Sequence, residues 1–225
     1  ARIISNEYFL WFIYAFQIFA LEFAVAFFIP RRSRFVLRSI VFSALYCILA
    51  VFAATFCARN LPSWQYVSMY ALSIFYMILL YRTNFWNILF CAVVAVVLQN
   101  MSYSFGAIAS LGLGVSPDPA QNMLTALIQV PVYLLVTVAT FALFGNRIKK
   151  FRFYGEDRIP MIILALFSIF LIFRMQYYMN ESPLYDTVLL RTLFITCDVM
   201  GLCLLFGIQE RSKLKEEKEI LQQIM

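Results

Sequence analysis

Four ionisable side chains, Glu22, Arg174, Arg191 and Asp198, lie inside long apolar runs of this chain, and chemistry is expected there first. A charge held at membrane depth costs about 2.5 kcal/mol or more unless it is paired or faces a cavity, so such residues are by default candidates for function. At 1.5 Å per residue, Arg174 falls roughly 6 to 8 Å below the outer end of its run, and Arg191 a similar depth down the next one. Two guanidinium groups at one level would line an outward-opening cleft for an acidic group, such as a peptide carboxylate. Glu22 and Asp198 fall deeper, roughly 18 to 21 Å from the outside, and would form a buried acidic pair that senses rearrangement above it. Each residue alone also has a structural reading. Arg191 can snorkel to the outer headgroups or pair with Asp186, and the two acids can be satisfied by polar groups of neighbouring helices.

Other chemistries are excluded by composition. Histidine is absent, which removes the commonest general base and metal ligand, the usual haem ligand and the phosphoacceptor of a histidine kinase. The cysteines Cys47, Cys57, Cys91, Cys197 and Cys203 lack the close pairing of a metal site or disulfide framework and read as packing residues. No metal and no cofactor is therefore expected. A membrane-embedded enzyme ranks last, since no acidic motif faces one water-filled site.

The elements that must position these residues are membrane helices. Hydrophobic residues make up 63% of the chain and charged ones 13%, about half the charged share of a soluble domain. The apolar runs are continuous, without the ten-residue alternation of a barrel, so the class is all-α. Seven spans are predicted, near Tyr8 to Ile29, Phe35 to Cys57, Trp64 to Tyr81, Trp86 to Ile108, Met123 to Phe144, Ile159 to Tyr178 and Thr187 to Ile208. Fourteen of the eighteen Lys and Arg fall in every second loop and after the seventh span, against Arg2 and Arg59 on the other side. That bias predicts an N-terminus outside and a C-terminus in the cytoplasm. The net charge of +6 follows from these clusters, which face anionic headgroups of the lipid bilayer. The open basic groove and stacking platforms of a nucleic-acid binder are not evident, so no nucleic-acid partner is expected.

Within the spans, Gln17, Gln99, Asn100, Gln129 and Gln176 read as interhelical hydrogen-bonding residues. Pro131 would bend span five, and the small residues around Gly106 and Gly112 would allow close packing. The outer loops are short, so a ligand from outside must be met by loop tips and by a cleft among helices.

Residues 1–208 are expected to form a seven-helix transmembrane domain, the candidate sensor, and residues 209–225 to begin a cytoplasmic helix, the candidate signalling element. In the latter, Gly207, Leu214 and Leu221 recur every seven residues, with Ile224 three beyond Leu221 and Glu210 and Glu217 in the companion positions. This is a short coiled-coil seam, with Leu214, Leu221 and Ile224 as its signal-transmitting residues. The run has no helix breaker and stops on an apolar face, as expected of a rod that continues from span seven toward a further domain.

Seven sparsely charged spans, very short outer loops and the exit helix RSKLKEEKEILQQIM resemble the N-terminal sensor region of membrane histidine kinases of Gram-positive bacteria, of the peptide-quorum-sensing type with a GHKL ATPase domain. The resemblance implies that the parent protein is a protein-histidine kinase in the cell membrane, with dimerisation helices and an ATP-binding domain following the exit helix. It carries over no catalytic residue to this chain. The expected function is a homodimeric signal-sensing domain that detects an extracellular or membrane-borne ligand, a peptide being one candidate, and moves the helix leaving span seven. A different class is a small-molecule transporter or substrate-capture membrane subunit, with Glu22, Gln99, Asn100 and Asp198 lining its site. The absence of clear broken helices and the terminal rod weigh against it.

Overall fold

The computed structural model describes residues 2–61, 64–116, 123–149, 158–181 and 184–224. Their regular secondary structure is helical: α1 (Arg2–Val25), α2 (Phe35–Asn60), α3 (Gln65–Leu80), α4 (Phe85–Gly112), α5 (Met123–Lys149), α6 (Arg158–Glu181) and α7 (Leu184–Ile224), with a short 3-10 turn, Ala26–Phe28, after α1. Each helix coincides with one apolar run of the sequence, because the clusters of charge and of Pro, Gly and Asn between the runs are where helices stop. α7 differs in kind. It carries the seventh run and the charged segment after it in one helix of 41 residues.

Among the described residues, five stretches are long and apolar enough to cross a membrane: Tyr8–Phe28, Phe35–Asn60, Phe85–Gly112, Leu127–Gly145 and Val188–Ile224. The apolar parts of α3 and α6, Gln65–Leu80 and Ile159–Leu171, are shorter. The chain is therefore a helical bundle with the composition of a membrane protein. Large apolar side chains such as Leu135, Leu143, Phe52 and Ile159 are exposed on its outside, as lipid-facing residues would be.

α4 is the central helix, in contact with α1, α3, α5, α6 and α7. Its most apolar window is 78% buried, against 17% for that of α5. The sequence explains this placement. CAVVAVVLQNMSYSFGAIAS offers Ala, Val, Ser and Gly on all faces, and small side chains let neighbouring backbones approach. At Gly106 an added Cβ would stand 2.9 Å from Gln129 Cγ of α5, so glycine is needed for that contact. Gly112, by contrast, has open space at its Cβ position. Pro131 lies inside α5, which continues as one helix on both sides of it.

Aromatic pairs join the helices elsewhere. Phe19 of α1 stacks on Tyr46 of α2 at 5.1 Å, and Phe144 of α5 lies nearly parallel to Phe206 of α7 at 4.6 Å. Such offset pairs add about 0.5 to 1.5 kcal/mol beyond their burial.

The segment between α1 and α2 is tied to the segment between α3 and α4. Arg32 N donates to Leu80 O at 3.2 Å and Arg82 N to Pro30 O at 2.9 Å, while Arg32 Nε donates to Tyr81 O at 3.0 Å. Arg34 then turns the chain into α2 with left-handed backbone, φ 54°. Two of the arginine-bearing loops thus form one joined surface at the same end of the bundle.

Candidate functional site

Arg191 projects from α7 into the bundle and is 2% exposed. Its guanidinium carbon lies 4.7 Å from the centre of the Tyr103 ring on α4. That cation–π contact covers one face of the ion and contributes about 2 kcal/mol where water is excluded. The edge of the ion is unsatisfied. Neither Nη1 nor Nη2 has a hydrogen-bond partner. Arg191 therefore does not snorkel to the surface, and its two terminal nitrogens make no hydrogen bond among the described residues; the side chain of Asp186, its other expected partner, lies outside them. A buried ion whose partner is missing costs about 3 to 5 kcal/mol, more than the ring returns.

Tyr103 belongs to an aromatic cluster that links α1, α3 and α4. Tyr14 contacts it at 6.5 Å, and Trp11, Tyr14 and Tyr66 contact one another at 5.7 to 6.1 Å, mostly edge to face. Trp11 Nε1 is buried without a partner. One turn before Tyr103 on α4, Gln99 accepts a hydrogen bond from the Tyr70 hydroxyl through Oε1 and leaves Nε2 unpartnered. Gln129, packed against Gly106 three residues after Tyr103, has its Nε2 unpartnered too.

The two acids occupy separate surroundings. Glu22 is fully buried on α1, where Ser73 Oγ of α3 donates to Oε1 at 2.7 Å, leaving Oε2 without a partner. Asp198, two turns beyond Arg191 on α7, borders a cavity of about 10 Å³ between α4, α6 and α7 and leaves Oδ2 unpartnered. That space is about what one water molecule needs. A larger apolar cavity of about 140 Å³ lies between α3, α4 and α6, with Ser168 on a wall it shares with the Asp198 cavity.

Of the four charges singled out in the sequence, Glu22, Arg191 and Asp198 all point inward. The side chain of Arg174 lies outside the described residues, as does that of Gln176. No bond joins Glu22 to Asp198 or Arg191 among the described contacts. Among the described residues no group of His, Cys, Asp and Glu is arranged to hold a metal ion. Known family models, curated proteins and solved structures were compared with the chain, and none matches.

Sequence reasoning missed the partners. Tyr103 and Ser73 are ordinary members of apolar runs, and nothing in their type marks them. Depth alone carries a signal for one of them. Tyr103 is nine residues from the end of α4 and Arg191 seven from the start of α7, about 13 and 10 Å, which places them within a turn of each other.

At the far end of α7, Leu214, Leu221 and Ile224 are 55%, 59% and 77% exposed. Lys213 and Glu217 pair at 3.1 Å across one turn, an exposed bond of little energetic weight. The apolar seam is uncovered in the single chain.

Proposed function

We propose that this chain is the membrane sensor region of a sensor histidine kinase of the GHKL, peptide-quorum-sensing type. It has seven spans, an outer N-terminus and a cytoplasmic exit helix, and works in the cell membrane as a homodimer. The observation that carries this reading is α7, one unbroken helix with buried, unsatisfied Arg191 and Asp198 in its first half and an exposed apolar seam in its second. A ligand that satisfies the buried groups changes the balance of contacts holding α7 against α4 and α6. A helix is stiff enough to pass the resulting shift or rotation to its other end. A coiled-coil seam there has discrete packings between which a small displacement selects. The joined arginine loops at one end of the bundle support the assignment of that end to the cytoplasm.

The test is disulfide crosslinking in native membranes of chains carrying Leu214→Cys or Leu221→Cys, with Cys203 replaced by serine. Crosslinked dimers are expected at both positions, with a ratio between the two that changes on stimulation. Monomers only, at every position tried along the exposed face, would sink the mechanism.

A further inference from the structure

We propose that Arg191 is the anchor of a binding site for a singly charged carboxylate carried on an aromatic or apolar body, with the Tyr103–Tyr14–Trp11–Tyr66 cluster as the wall that receives that body. The proposal rests on the reading of the chain as a ligand receiver and adds the chemistry of the ligand.

The unsatisfied atoms choose the class. Around Tyr103 the buried atoms without a hydrogen bond are, apart from the Ser104 hydroxyl, donors only: Arg191 Nη1 and Nη2, Trp11 Nε1, Gln99 Nε2 and Gln129 Nε2. A cation or a hydrocarbon would leave them so. Nη1 and Nη2 together form the end-on fork of a guanidinium, whose two parallel N–H directions match the two oxygens of a carboxylate. Tyr103 occupies one face of the ion, and a carboxylate that accepts from both nitrogens meets them in the plane, at the edge.

Charge and depth narrow it further. One guanidinium balances one negative charge. A doubly charged phosphate would bring a second buried negative charge with no cation to balance it among the described residues around Tyr103. A lipid phosphodiester carries the same single charge but belongs to the headgroup layer, and Arg191 lies about 10 Å inside the start of α7. Aromatic rings with edges and faces at 5 to 7 Å spacing accept a further ring in the same herringbone manner.

The test uses the chain reconstituted in phosphatidylcholine vesicles, titrated with 4-phenylbutyrate and with its uncharged amide, followed by tryptophan fluorescence and by the thermal unfolding midpoint. Saturable binding of the carboxylate that raises the midpoint is expected, with the amide at least about tenfold weaker, the factor that corresponds to losing a charge-assisted hydrogen bond. Arg191→Gln should abolish the difference between the two probes, and Arg191→Lys, a point charge without the fork, should retain part of it.

Without any probe, Arg191→Gln should unfold at the same midpoint as the natural chain or above it, because it removes an uncompensated buried charge. A lowered midpoint or failure to fold would mean that Arg191 is paired within the protein and would overturn the proposal. So would equal binding of carboxylate and amide, or displacement of the probe by phosphatidylglycerol added to the vesicles, which would assign the site to a lipid phosphodiester. Crosslinking at Leu214→Cys separates the two readings. Carboxylate binding that leaves the crosslinks unchanged removes the sensor reading and keeps the site. Crosslinks that respond in membranes to culture supernatant, with no carboxylate binding, remove the site and keep the sensor reading.

Discussion

Ser73 is the residue on which buried Glu22 depends, since it supplies the hydrogen bond to Oε1 while Oε2 already has none. An average hydrogen bond between membrane helices contributes about 0.6 kcal/mol. Leaving a buried acceptor unsatisfied costs more, about 1 to 3 kcal/mol. Ser73→Ala is therefore expected to destabilise the protein by about 1 to 3 kcal/mol in denaturant unfolding from detergent micelles. Combining it with Glu22→Gln should recover part of that loss, and strict additivity of the two changes would show that they do not interact. At this scale the sequence was half legible. Glu22, Arg191 and Asp198 could be picked out because a charge in an apolar run is rare, and all three are buried. Their partners could not, because a serine or tyrosine is common in any membrane helix and only the packing of α1 on α3, or α7 on α4, selects Ser73 or Tyr103.

Helices were the most legible level. Continuous apolar runs bounded by charge and turn residues place most helix starts and ends closely, but α1 begins at Arg2 ahead of the expected Tyr8 and α5 runs to Lys149 past the expected Phe144, and α7 continues past its apolar run as the unbroken Lys/Glu-rich sequence requires. Which helix sits at the centre was not legible as such, although the small residues of α4 carry the reason. Two glycines separate the roles such residues play. Gly106 faces Gln129 Cγ at 2.9 Å, whereas Gly201, in the middle of α7, has open space at its Cβ position. Gly201→Ala should gain stability, by up to about 1 kcal/mol from helix propensity alone. Gly106→Val should lose about 1 to 3 kcal/mol as the added methyl groups force α4 and α5 apart. Thermal unfolding of the two variants side by side checks the pair, and a loss at Gly201 equal to that at Gly106 would show that close packing at Gly106 is not the cause.

For the whole molecule, the decisive question is whether α3 returns across the membrane. Its 16 residues span about 24 Å, less than the roughly 30 Å of hydrocarbon, whereas α2 with 26 residues is long enough. The bonds joining Pro30, Arg32, Leu80 and Arg82 place the end of α3 beside the end of α1. In the proposed topology α2 leaves that side and α3 must come back to it. A shortfall of about 6 Å is tolerable at fractions of a kcal/mol per ångström through local thinning of the bilayer, and Trp64 and Tyr81, which flank α3, are the residue types that anchor at interfaces. Arg59 near the end of α2 and Arg82 just after α3 should then lie on opposite sides of the membrane. In intact cells a membrane-impermeant maleimide is expected to label Arg59→Cys and to leave Arg82→Cys unlabelled until the cells are opened, with native Cys57 and Cys203 replaced by serine. Labelling of both from outside would leave α3 as a helix lying within one leaflet and reduce the count of spans. Labelling of Arg82→Cys alone would invert the orientation, put the α7 seam outside the cell, and remove the proposed route from a ligand at Arg191 to a cytoplasmic output domain.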